Sequence, residues 1–253
     1  MSTRHIVLCG GTGYRLRGEA LFEKPLCLVL GRPLIQHVLE SIQSDVVTLI
    51  ASSHLKKYQF DTTINHLTDK KVEFIYLDRH TRGPVETAFL GLSKSSEIKD
   101  DDRLIFYDND TIYEGIDLPS EYVNSIGYLK VPDPSLSYPY CFLNIENNLV
   151  KGIHEKNQVS ETYAAGVYMF ESKGFFIKTA KPLLKELGIG ELYMSTLLDN
   201  ILQNSNKQIH AFQIKSGICL GTKEDIINNL NRIEFKKLRL CFDLDNTILK
   251  YRL

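Results

Sequence analysis

The sequence predicts an α/β protein built on a Rossmann-like, mostly parallel sheet flanked by helices. Three observations predict this class. Short apolar, β-branched runs alternate with segments of helical periodicity. The first run ends in a glycine-rich turn, "CGGTG", and a later run ends in acidic residues, "YDND". In sheets of this type ligands lie beyond the carboxyl ends of the strands, so the glycine turn and the acidic end are expected to face one pocket.

The elements follow in order. "HIVLCG" reads as a strand, and "RPLIQHVLESIQ" as an amphipathic helix with Leu34, Ile35, Val38, Leu39 and Ile42 on one face. "VVTLIAS" and "VEFIYLD" read as the second and third strands, and "PVETAFLGLSKSS" as a helix with Pro84 in its first turn. "RLIFYDND" is the fourth strand. After about residue 120 the pattern changes to short strands and turns. "AAGVYMFES" is a further strand, "AKPLLKELGIGELYMSTLLDNILQ" is largely helical, and residues 207–235 give a strand, a turn and a helix. The domain reading is one unit over 1–235, followed by a distinct segment over 236–253.

Composition limits the function classes. Of 253 residues, 43% are hydrophobic and 24% charged, with a formal net charge of −1, which is ordinary for a globular domain and gives no support to nucleic-acid binding. No apolar stretch is long enough to cross a bilayer, and "MSTRHIVLCGG" does not read as a signal peptide. Cys9, Cys27, Cys141, Cys219 and Cys241 form no CxxC pair and read as reduced thiols, which makes the cytoplasm the expected compartment.

"LCGGTGYRLRGEALFEKPL", from Leu8 to Leu26, gives up side-chain bulk directly after a strand and places cations on either side. Glycines let backbone N–H groups form a concavity for an anion. Arg15 would add a planar fork for phosphate oxygens and Lys24 a compact charge. The glycines alone fit a second reading equally well, a tight turn that needs glycine only for positive φ. The pattern is neither GxGxxG nor GxxxxGK[ST], which argues against dinucleotide oxidoreductases and P-loop ATPases.

Gly10-Gly11-Thr12-Gly13-Tyr14-Arg15-Leu16, followed by Lys24-Pro25, resembles the opening of the sugar-phosphate nucleotidyltransferases (NDP-sugar pyrophosphorylases), G-G-x-G-[TS]-R-L and then K-P. With the segments below, the resemblance spans roughly residues 5–232. It implies the nucleotide-diphospho-sugar transferase fold, and an enzyme that joins an NTP to a sugar 1-phosphate or similar small phosphorylated acceptor and releases pyrophosphate. Arg15 and Lys24 would be catalytic. Leu8, Gly10, Gly11, Thr12, Gly13, Tyr14 and Arg15 would surround the nucleotide; Tyr14 departs from the family's small hydroxyl residue. An ionised phosphate is already a nucleophile, so positioning and charge stabilisation carry such a reaction. Lys24→Ala is expected to lower turnover by well over tenfold.

Asp108 and Asp110, two apart at a strand end, would point the same way on an extended strand and suit Mg²⁺ shared with phosphate oxygens. A solvated acidic strand end is the plainer alternative. By resemblance Asp110 is a metal ligand, with Asp108 its partner and a nucleotide contact. The family's second metal carboxylate, in W-x-D-[VI]-G-T, is replaced in "GICLGT" by Cys219 ahead of Gly221-Thr222, and Asp225 is a candidate substitute.

The resemblance further implies that Arg82, Gly83 and Thr87 in "TRGPVETA" face base or ribose. Glu155, Lys156, Gly166 and Glu191 would face the acceptor, with Ala164 standing where the family commonly has asparagine. His37 reads as structural. The acceptor is then a sugar 1-phosphate or a compound of the phosphocholine type; no membrane or nucleic-acid partner is implied, and a homo-oligomer is compatible. The end, "LRLCFDLDNTIL", resembles the first motif of haloacid dehalogenase-like phosphatases, with Asp243 and Asp245 in D-x-D-x-T, and reads as the start of such a domain or as a terminal strand. Two other functions are carried alongside the first: a glycosyltransferase of related fold, and a non-catalytic nucleotide-binding subunit.

Overall fold

A computed structural model describes residues 2–11, 13, 23–120, 123–186, 188 and 190–233. Thr12, Tyr14, Arg15, Asp243 and Asp245 therefore lie outside the described residues, as does the phosphatase-like segment.

The chain runs β1 (Thr3–Cys9), a short hairpin β2 (Leu28–Val29) and β3 (Arg32–Pro33), α1 (Leu34–Ser41), β4 (Val46–Ser52), α2 (Phe60–Leu67), β5 (Lys71–Leu77) and α3 (Pro84–Lys94). It continues with β6 (Arg103–Tyr107), β7 (Thr111–Ile116), β8 (Ser125–Lys130), β9 (Cys141–Glu146), β10 (Leu149–Glu155) and β11 (Thr162–Phe170). Last come α4 (Lys173–Glu186), α5 (Met194–Asn204), β12 (His210–Cys219) and α6 (Lys223–Asn229). The strand order is β5-β4-β1-β6-β11-β8-β12-β10-β9, with β7 paired to β12.

The α/β fold class is the expected one, but the sheet is mixed rather than mostly parallel, because the strands after β6 return antiparallel. β1 pairs in parallel with β4 and β6, and β4 with β5. β11 then joins β6 antiparallel, and the remaining strands form an antiparallel extension, β8 with β12 excepted. β1 is buried on both faces: Ile6 and Leu8 join one cluster with α3, α4 and α5, while Val7 and Cys9 join another with α1 and α2. A continuous apolar run is what a central parallel strand needs.

The amino-terminal ends of these strands are held by Asp102. Its carboxylate accepts from the Ser2 hydroxyl (2.8 Å), the Lys99 N–H (3.1 Å) and Arg4 Nε (3.0 Å). Burial opposes its charge, but these donors outweigh burial and hold its carboxyl well below the usual range. Beside it, His5 Nδ1 is 2.9 Å from the Tyr107 hydroxyl, and burial, with Arg103 and Lys70 nearby, pushes the imidazole pKa down to about 4.

A His whose folded pKa is depressed stabilises the fold fully above its unfolded value near 6.5 and loses that contribution as pH falls towards 4. Unfolding free energy should therefore drop by roughly 2 kcal/mol from pH 7 to 4 through His5 alone. Urea titrations at several pH values should show a flatter dependence in His5→Gln; an unchanged slope would contradict this assignment.

Candidate active site

The carboxyl ends of β1 and β6 lie side by side, and both expected features sit there. Gly10 is buried against Thr87 and Thr81: an added Cβ would lie 2.6 Å from Thr87 Oγ1. The Gly10 carbonyl accepts the Thr81 N–H (3.1 Å), and the Thr87 hydroxyl bonds to the Gly83 carbonyl (3.0 Å). Gly10 thus docks the turn onto α3, while a Cβ added at Gly11 would meet none of the described residues within 4 Å. Gly13 has φ +61°, and its absent Cβ leaves room for Lys24, whose Cβ would be 2.7 Å away. The turn reading holds at Gly13, which needs positive φ, while Gly10 is required for close approach to α3.

Lys24 opens a single 3-10 turn, Lys24–Leu26, with Pro25 fixing its start. Its ammonium forms an ion pair with the Asp110 carboxylate, both side chains being largely buried. β6 ends at Tyr107, so Asp108 and Asp110 sit in the turn before β7 rather than on an extended strand. They nonetheless line one cleft, together with Gly166, Glu155 and Cys219. The Asp108 N–H donates to the Gly166 carbonyl (2.9 Å), and the Tyr113 hydroxyl donates to the same oxygen (2.9 Å). Gly166 has φ +79°, and a Cβ there would fall on the Asp108 carboxylate. Asn109 reaches back from between the two aspartates to the Leu8 carbonyl (2.5 Å), tying the acidic turn to the end of β1.

Tyr113 and Asn109 escaped the sequence reading. Tyr113 looks there like any strand aromatic, and only the antiparallel return of β11 puts Gly166 within its reach. Asn109 stands in full view between two aspartates, but its partner is a backbone atom a hundred residues away.

Cys219 lies beside Asp110. Asp110 Oδ2 and Cys219 Sγ lie 2.8 and 3.5 Å from the point where a Cβ of Gly221 would be. Burial, reinforced by the nearby Asp110 and Asp225 carboxylates, pushes the Cys219 thiol up to about 12, so it stays protonated at neutral pH. Asp225 is engaged elsewhere: its Oδ2 accepts from the Thr222 N–H (2.9 Å) and hydroxyl (2.7 Å) in a capping box that starts α6. Among the described residues, no group of three or more His, Cys, Asp or Glu is arranged to hold a metal ion.

The other expected residues occupy two places. Arg82 is bound to Glu86, through its N–H (2.7 Å) and its guanidinium, and it donates to the Gly188 carbonyl. Gly83 is pressed against the Leu192 backbone, 2.8 Å from a would-be Cβ, with Glu191 alongside. A residue expected at the base and one expected at the acceptor are thereby neighbours. At the other place, Glu155 ends β10 and accepts from the Ser195 hydroxyl (3.0 Å). Lys156, with φ +56°, has its ammonium 5.8 Å from the Tyr193 ring centroid. His37 is structural, bonded to the Val29 carbonyl (2.9 Å).

Burial of Glu86 would raise its carboxyl pKa, but the bonds from Arg82 and Arg79 prevail and lower it. Removing this carboxylate strands Arg82 and opens the link from α3 to the loop before α5. Glu86→Ala is expected to cost about 2–4 kcal/mol in urea unfolding; a cost below 1 kcal/mol would contradict that role.

This architecture is the nucleotide-diphospho-sugar transferase fold. The nucleoside-diphosphate-sugar pyrophosphorylase of Vibrio cholerae RC9 superposes with a TM-score of 0.75 at 20% identity, covering 89% of this chain and 99% of that one. The inositol-1-phosphate CTP transferase of T. maritima gives 0.69 at 14% identity, with 91% and 96% covered. Residues 5–120 match the family model of the MobA-like NTP transferase domain. Among curated proteins, the bifunctional protein GlmU of Methanocaldococcus jannaschii is 28% identical over 197 residues, covering 74% of this chain and 44% of that protein. GlmU of Methanococcus maripaludis strain S2 is 24% identical over 217 residues, covering 83% and 49%. The chain thus spans about half the length of the curated relatives it matches. Among the described residues, no helix is long and apolar enough to cross a membrane.

Proposed function

We propose that the protein is a nucleotidyltransferase that joins an NTP to a small phosphorylated acceptor, a sugar 1-phosphate or similar compound, and releases pyrophosphate. The observation that carries this reading is the Lys24–Asp110 pair. It brings a cation from the far end of the glycine turn onto the acidic turn after β6, over the strand ends where such sheets bind ligands. The NTP-transferase domain match over residues 5–120, the GlmU relatives and the shared fold support it.

In the reaction an oxygen of the acceptor phosphate attacks the α-phosphorus. A new P–O bond forms, the bond to the bridging oxygen of the β-phosphate breaks, and pyrophosphate leaves with that electron pair. Backbone N–H groups around Gly10 to Gly13 hold the triphosphate, and Lys24 moves from Asp110 to phosphate. Arg15 belongs to the same assignment, assisting the departing pyrophosphate.

The donor set suits Mg²⁺. Asp108 and Asp110 offer hard oxygens in one cleft, and the glycine at 166 leaves the Asp108 carboxylate its space. Bound there, Mg²⁺ would neutralise phosphate charge as the transition state forms. The protonated Cys219 is a poor ligand for it, so substrate oxygens and water complete the shell.

The test is incubation with each of four NTPs, Mg²⁺ and a panel of sugar and amino-alcohol phosphates while pyrophosphate is monitored. Release that needs both an NTP and an acceptor is expected. Glycosyl transfer from a preformed NDP-sugar, or nucleotide binding without turnover, would overturn the proposal.

A further inference from the structure

Around Glu155, at the end of β10, a second group of residues lines the same cleft as the aspartates. Among the described residues that line it, the charged ones are Asp108, Asp110 and Glu155, and neither Lys nor Arg joins them. Its wall carries four tyrosines, Tyr140, Tyr163, Tyr168 and Tyr193. Two of these belong to a stack that fixes the wall: Tyr138 and Tyr140 have ring centroids 5.4 Å apart at 14°, and Tyr140 and Tyr163 4.3 Å apart at 22°. The thiols here are uncharged, because burial pushes Cys141 as well as Cys219 up to about 12. The Lys156 ammonium already lies 5.8 Å from the Tyr193 ring centroid.

We propose that these residues bind a cationic head group, so that the acceptor is a small phosphorylated alcohol carrying an ammonium group. The inference rests on the nucleotidyltransferase reading and narrows its acceptor. A cleft lined by Asp110, which pairs with Lys24, and by Glu155 among tyrosines matches a molecule with phosphate at one end and a cation at the other. Tyrosine rings attract ammonium groups through their quadrupole, most strongly when water is excluded. A hexose makes a different demand. Each hydroxyl it buries needs a placed donor or acceptor, whereas Ala164 and Ala165 line this wall with methyl groups.

The chain contains no tryptophan, so its fluorescence comes from its 13 tyrosines, among them the four that line this cleft, and Tyr163→Leu identifies the wall's share of any quenching. Choline should quench this fluorescence at saturation with at least tenfold higher affinity than 3,3-dimethyl-1-butanol, its uncharged carbon isostere. Glu155→Gln, an exposed and foldable change, should weaken choline about tenfold, and Tyr163→Leu should weaken it too. In the pyrophosphate assay, phosphocholine or phosphoethanolamine should exceed glucose 1-phosphate in kcat/KM by at least tenfold, and Glu155→Gln should raise the KM for the cationic acceptor while leaving the KM for NTP in place. Equal affinity for choline and its isostere, or a preference for the sugar phosphate, would overturn the inference while leaving the nucleotidyltransferase intact. Choline binding without pyrophosphate release from any acceptor would uphold the head-group site and remove the parent reading.

Discussion

Lys24→Ala should reduce kcat well over tenfold, on the order of a hundredfold, the cost typical of removing one preorganised charge that meets an oxyanion. Lys24 has the geometry for this: it sits in a rigid turn braced by Pro25, shares space with the Cβ-free Gly13, and its ammonium reaches Asp110 across the cleft. Lys24→Arg should fall between the two. It keeps the charge but replaces a compact ammonium with a planar fork that the neighbouring turn has not been shaped to hold. Circular dichroism and thermal unfolding of Lys24→Ala should show a folded protein, since Pro25 and Leu26 of the same turn carry the buried contacts. Turnover unchanged by Lys24→Ala would remove the residue from the reaction.

Gly166→Ala should be the most damaging single change on the acceptor side. A φ of +79° is accessible to glycine and costs about 1–2 kcal/mol for alanine. The added methyl would also land on the Asp108 carboxylate, so either the aspartate turns away or the strand shifts. A shift would disturb the Gly166 carbonyl, which accepts from both the Asp108 N–H and the Tyr113 hydroxyl. A stability loss of about 2–4 kcal/mol and a loss of activity on the order of a hundredfold are expected. Tyr113→Phe separates the two effects. It removes one hydrogen bond, costs about 1–2 kcal/mol, and leaves the Asp108 carboxylate in place, so its activity should fall far less. Equal activity losses in the two variants would show that general loosening, not displacement of Asp108, is at work.

The elements around the site were legible wherever local pattern and tertiary demand coincide. β1, β4 and β6 announce themselves as apolar runs because a central parallel strand is buried on both faces, while β5, at the sheet edge, is only half-buried. α3 starts at Pro84 as its sequence predicts, since proline fits the first turn of a helix. The antiparallel half was harder to read: β11 and β12 are as long as any strand, but their partners are set by crossovers that no local signal encodes. α2 and the single turn before it, at residues 53–58, went unread because their apolar residues are few.

The site divides in the same way. Lys24, Asp108, Asp110 and Gly166 were expected from local chemistry and motif; the last three line one cleft, and Lys24 is ion-paired to Asp110. Arg82 was expected at the nucleotide but is held by Glu86, a partner one helical turn away that a sequence shows only as an ordinary i, i+4 pair. The tyrosine wall was invisible, because Tyr140, Tyr163 and Tyr193 come from three separate segments. Cys219 was visible as a departure. The structure adds its consequence, a protonated thiol beside Asp110 and an Asp225 whose carboxylate is occupied in a helix cap.

A crystal structure of the full chain with a non-hydrolysable NTP analogue and Mg²⁺ tests the central claim most directly. The account predicts triphosphate lying along Gly10 to Gly13, with the Lys24 ammonium transferred from Asp110 to a phosphate oxygen and the metal on Asp110. Nucleotide bound away from the end of β1, with Lys24 still paired to Asp110, would contradict it.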